Sequence, residues 1–194
     1  SDEFKTTDYF IPKFDVGLSQ DPYALVVSPT DFHWGKYAPK YTGDEYNRTI
    51  AKERLFGLTQ QLVKRIAFRG NPERIILAIG GDGLHIDNQQ KTTTRGTAQD
   101  CDGSPSELVS TYVSLCRDYI DFLSQIAFVH VFVIPGNHDY YTATLLREAL
   151  KGWFNNKSYA EIEDSLSPRQ SIMYGNSLIT FVHGDEGSVK DYPA

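Results

Sequence analysis

Four short stretches of this sequence combine residue types that bind metal ions and move protons. Asp31-Phe32-His33 sets a carboxylate and an imidazole two residues apart. In an extended backbone such residues share a face, so both side chains would reach one ion. A carboxylate oxygen with an imidazole nitrogen is an ordinary pair for first-row divalent metals, although the same triplet also arises by chance. Gly80-Gly81-Asp82 adds a carboxylate behind two glycines. Gly136-Asn137-His138-Asp139 adds a neutral amide oxygen and an imidazole that titrates near neutrality. Alone, it reads equally well as a polar strand-to-helix turn with Asp139 near the helix start. His183-Gly184-Asp185 is the fourth cluster.

Each cluster follows a stretch with the character of a strand. Residues 23–28, 74–79, 128–134 and 178–182 are rich in β-branched, aliphatic and aromatic side chains. The run 128–134 is apolar on both alternations, as in a strand buried on both faces of a parallel sheet. Strand, helix and strand in succession predict βαβ units. Catalytic and binding groups gather at the carboxyl ends of such strands.

Helical spacing of Ile50, Leu55, Leu62 and Ile66 predicts a helix over about 46–68, with Lys52, Glu53, Lys64 and Arg65 turned outward. Gly70-Asn71-Pro72 stops it. Ser104 and Glu107 have capping-box spacing, with Pro105 at the first helical position. The helix they start buries Val109, Val113, Cys116, Ile120 and Leu123. A third helix covers about 143–153, followed by a loop or short helix near 159–162. Residues 171–174 and 178–182, around Gly175-Asn176-Ser177, predict a β-hairpin. The polar stretch 86–104 reads as a functional or disordered loop. Its Lys91 and Arg95 would contact a substrate phosphate, or simply be solvated. His130, inside a strand, reads as a core histidine rather than a ligand.

Hydrophobic residues at 40% and charged residues at 23% suit one globular domain over 1–194, with 1–22 an irregular lead-in. No apolar run nears the ~20 residues of a membrane span. Two cysteines make neither a disulfide framework nor a CxxC site, so a reducing cytoplasm is the expected compartment. A net charge of −6 gives no general attraction to nucleic acid, so a polyanion would need metal ions or a local basic patch.

Taken in order, Asp31-x-His33, Gly81-Asp82, Gly136-Asn137-His138-Asp139 and His183-Gly184 resemble the calcineurin-like metallophosphoesterase superfamily from about residue 23 onward. His85-x-Asp87-Asn88 with the threonine-rich loop resembles, within it, enzymes encoded by bacteriophages and prophages. The resemblance implies an α/β fold, a β-sandwich flanked by helices (αββα), with two divalent ions at the strand ends. Mn²⁺ is the first expectation, and Fe, Zn²⁺ or Mg²⁺ also suit the shell. By motif, Asp31 and His33 would hold one ion, Asp82 would bridge, and Asn137 and His183 would hold the other. His138 would face the leaving oxygen as general acid. His85, Asp87, Asn88 and Asp139 would stand behind the ligands or touch substrate.

The expected substrate is a phosphate ester, nucleic acid among the candidates. Phosphodiester hydrolysis, a fold kept without chemistry and a protein phosphatase remain distinct readings. The family also draws two histidines from a later Gly-His-x-His turn that this sequence lacks. Residues 189–194 resemble the middle of an element, which predicts a chain lacking its last strands.

Overall fold

The computed structural model describes Tyr9, Ile11, residues 21–165 and residues 167–185. Most of the predicted lead-in, and the final residues 189–194, lie outside the described residues. The chain is a mixed α/β structure with a parallel sheet flanked by helices. In order run β1 (Ala24–Val27), α1 (Arg48–Ile66), β2 (Arg74–Gly80), α2 (Pro105–Ser124) and β3 (Phe128–Ile134). Then follow α3 (Tyr140–Phe154), β4 (Ala160–Ile162), β5 (Arg169–Tyr174) and β6 (Ser177–Val182). Strands β1 to β4 pair in parallel in chain order, and β5 and β6 form a separate antiparallel hairpin.

The doubly apolar reading of the central strands corresponds to two packed faces. Ile75, Leu77, Ile79, Val129, Val131 and Val133 point to a large cluster shared with all three helices. Ile76, Ala78, Phe132 and Ile134 point the other way, against Ile172, Tyr174, Ile179 and Phe181 of the hairpin. Each fully buried side chain of this size contributes roughly 1.5–3 kcal/mol. The helical face, with many more of them, therefore dominates the sheet's stability. The hairpin is a second β-layer over the sheet, and its outward Met173 and Leu178 are exposed. No described helix is long and apolar enough to cross a membrane.

Four local expectations are corrected. Residues 160–162 form the parallel edge strand β4 rather than a loop or short helix, paired to Val129–Val131. The α1 stripe is displaced: Ala51, Lys52, Phe56, Thr59 and Val63 are buried, while Leu62 is exposed. The reason lies in the partners. Thr59 Oγ1 meets the Tyr119 hydroxyl at 2.6 Å, and the Lys52 ammonium sits over the Phe56 ring. Ser104 does cap α2, accepting from the Glu107 N–H, but the Glu107 carboxylate turns to Arg48 at 2.8 Å. The stretch 86–104 is ordered by bridges Thr92↔Ala98 and Lys36↔Cys101 and buries Ile86, Asp87 and Thr93. Cys116 is core, as expected, and His130 Nε2 is 3.3 Å from Glu163 Oε2.

Candidate metal centre

The turns after β2 and β3 nest against each other because glycine stands at each contact. Gly80 lies at φ 89, and a Cβ there would collide with the Ile134 carbonyl oxygen. Gly136 packs so closely on Asp82 that a Cβ would overlap its Oδ1 and backbone nitrogen. Asp139 ties the two turns together. Its Oδ1 accepts the N–H groups of Gly136 (2.9 Å) and Asp82 (3.3 Å), and its Oδ2 accepts that of Leu84 (3.0 Å). Burial pushes this carboxyl up to about 6 against the pull of those donors. Asp139 does precede α3, but its side chain does not cap that helix.

Asp82 is anchored on one oxygen and open on the other. Oδ1 accepts the His138 N–H at 2.8 Å. Oδ2 lies 3.4 Å from His183 Nε2 and 4.0 Å from His138 Nε2. His183 Nε2 is in turn 3.1 Å from Asn137 Oδ1. The turn after β1 is stitched alongside: the N–H groups of Asp31, His33 and Trp34 donate to the carbonyls of Gly81, Asp82 and Gly83.

Here the extended-backbone expectation fails. Asp31, His33 and Asp82 all adopt left-handed backbones, with φ of 52, 47 and 63. Such positions are costly for non-glycine residues and concentrate at functional sites. The bend sends Asp31 and His33 to different places. Asp31, Asp82 and His183 form one group of ligand-type atoms within 4.8 Å of one another, and His33, His85 and His138 form another.

The second group is all imidazole. His33 Nδ1 and His85 Nδ1 stand 3.2 Å apart, and His138 Nδ1 donates to the His85 carbonyl at 3.0 Å. The His85 ring stacks on His138 at 5.2 Å, and His33 meets His138 edge-on at 4.7 Å. Burial, then the neighbouring imidazoles, pushes His85 down to about 3, and burial likewise lowers His33. Both are neutral donors of lone pairs near neutral pH.

The donor set fits divalent ions. Two ligand atoms on one tetrahedral ion at ~2.0–2.1 Å stand about 3.3 Å apart. The separations of 3.1, 3.2 and 3.4 Å among Asn137, His183, Asp82, His33 and His85 match that spacing.

Other expected site residues lie elsewhere. Asp87 is buried, and its oxygens accept the N–H groups of Tyr141 (2.9 and 3.1 Å) and Thr142 (2.8 Å) and the Thr94 hydroxyl (2.8 Å). It anchors the start of α3 and is closed to substrate. Asn88 folds onto its own loop, bonding Gln90 and Thr92. Lys91 lies beside Cys101, and Arg95 is exposed next to Thr94, whose N–H donates to the Asn137 carbonyl. The lacing by Asp139 was missed because a carboxylate before a helix reads as a cap.

Strand-end carboxylates, imidazoles and an amide thus converge beside the parallel sheet in groups that could hold metal ions. A family model, calcineurin-like phosphoesterase, matches residues 30–192, and the chain belongs to that family. No curated protein matches the chain.

Proposed function

We propose that this chain is a two-metal phosphodiesterase, a nuclease or related enzyme of bacteriophage or prophage type, with nucleic acid as its first substrate class. One observation carries the reading: Asp82 Oδ2 is the unanchored oxygen between His183 Nε2 and His138 Nε2, at 3.4 and 4.0 Å. Asp31, Asp82, Asn137 and His183 would hold one ion, and His33 with Asp82 the other. Bound divalent ions, Mn²⁺ first, would supply a water that ionises near neutral pH and positive charge for the phosphoryl oxygens.

The chain's own groups do the rest. With Nδ1–H donated to the His85 carbonyl, His138 keeps Nε2 for the leaving oxygen. In its doubly protonated imidazolium form it would give that oxygen the Nε2 proton as general acid, returning to the neutral ring. Asp82 Oδ1, fixed by the His138 N–H, prevents the carboxylate from rotating away from the ions. Arg95, exposed beside Thr94, would meet a phosphate of the substrate backbone.

The test is a screen of phosphodiesters, phosphomonoesters and single- and double-stranded DNA with Mn²⁺, Fe²⁺, Zn²⁺ or Mg²⁺, beside calorimetry on Asp82→Ala. Diester turnover that requires metal, with Mn²⁺ affinity falling in Asp82→Ala, is expected. Equal Mn²⁺ affinity in both proteins, or no turnover with any ion, would sink the reading.

A further inference from the structure

We propose that His85 is itself a metal ligand, through Nδ1, of the ion that His33 holds, and that this half of the centre selects a nitrogen-preferring ion such as Zn²⁺. The inference rests on the two-metal reading and goes beyond it, because the motif resemblance implies a place for His85 behind the ligands or against substrate, not on an ion.

The geometry is specific. The two Nδ1 atoms face each other at 3.2 Å, close to the spacing of two nitrogens on one tetrahedral ion. The main chain of His85 is committed on both sides: its N–H donates to the Trp34 carbonyl and its carbonyl accepts from His138 Nδ1. The ring, 5% exposed and stacked on His138, is therefore aimed at His33 with little freedom. His33 reaches it from a left-handed backbone, a conformation that needs compensation. A simple N–H···N bond between the rings would satisfy one pair of nitrogens and leave that strain unexplained.

The two groups then differ in chemistry. Asp31, Asp82 and His183 offer mostly oxygen, which suits Mn²⁺ or Mg²⁺. His33 and His85 offer imidazole nitrogen, which suits Zn²⁺ or another late first-row ion. One carboxylate, Asp82, stands between unlike halves.

The experiment follows imidazole ¹H–¹⁵N resonances of the whole chain as Zn²⁺ is added, with calorimetry on wild type and His85→Ala. The His33 and His85 Nδ1 resonances should move together at the same equivalent of Zn²⁺. In His85→Ala that equivalent should weaken by at least the 10–100-fold typical of losing even a supporting residue. Mn²⁺ binding at the Asp31 group should persist, and a thermal melt checks the fold. Should the variant not fold, the wild-type resonances decide alone. If His183 responds to Zn²⁺ while His85 Nδ1 stays still, this proposal falls and the two-metal reading stands. If wild type binds no divalent ion, both fall.

Discussion

The inner and outer turns of the centre are built on opposite terms. The inner pair, after β2 and β3, is buried and laced, with Asp139 collecting three backbone N–H groups from both turns. Asp82 carries backbone strain there, at φ 63, but is held through its N–H, its carbonyl and Oδ1. The outer pair, after β1 and β6, is held differently, the β1 turn by three main-chain N–H groups donated to the carbonyls of the β2 turn. Asp31 is exposed at φ 52, and His183 follows a hairpin whose outward side chains face solvent. A left-handed backbone costs a non-glycine residue about 1–2 kcal/mol. The inner region is thus tied by a buried carboxylate, while the outer region carries its left-handed backbone at an exposed residue.

Three substitutions break or sharpen this contrast. The largest effect is expected within the inner region, from His138→Ala. Its backbone N–H, not its ring, holds the turn to Asp82, so the fold and the ion proposed at Asp31, Asp82, Asn137 and His183 should survive. Removal of a general acid should lower kcat by 10²–10⁴-fold, about 3–5 kcal/mol, and less for substrates with good leaving groups. Equal losses across leaving groups, or loss of the ion at the Asp31 group with the ring, would reassign His138 as a ligand or structural residue.

Asp139→Asn comes next. An amide has one acceptor oxygen where the carboxylate has two, accepting from three backbone N–H groups, so urea unfolding should show a loss of about 1.5–3 kcal/mol. A change under ~0.5 kcal/mol, the scatter of ordinary surface substitutions, would mean the lacing contributes little.

Asp31→Gly should have the smallest effect on stability, and the opposite sign. Relief of ~1–2 kcal/mol of backbone strain, less ~0.4–1 kcal/mol for a freer unfolded chain, leaves a gain of about 0.5–1 kcal/mol in the ion-free protein. Mn²⁺ affinity should fall at the same time. A destabilisation matching Asp139→Asn would show that both turns are held alike.

The sheet was legible because its signal is local. Runs such as 74–79 and 128–134 announce buried strands, and glycine followed by a carboxylate or amide marks the turns beyond them. What escaped depends on approach between distant segments. Asp31 and His33 follow the two-residue rule only while the strand continues, and the rule lapses where φ turns positive. His85 gains meaning only when the His33 ring arrives from another turn. Lys52 was assigned outward by charge, yet its alkyl stem packs inward with the ammonium above Phe56. Ala160-Glu161-Ile162 is too short and mixed to announce a strand, and is one because β3 offers it an edge.

Asp87 bears on how the proposed reaction ends. A helix N-terminus is a ready seat for phosphate, and α3 begins directly beyond Asn137 and His138. Asp87 already fills that seat, taking the N–H groups of Tyr141 and Thr142. A phosphate group cut from its ester would find an anion where it could otherwise linger, and only bound ions would retain it. On that proposal, product inhibition would be confined to the metals, and release would be favoured by a carboxylate that never touches the reacting bond.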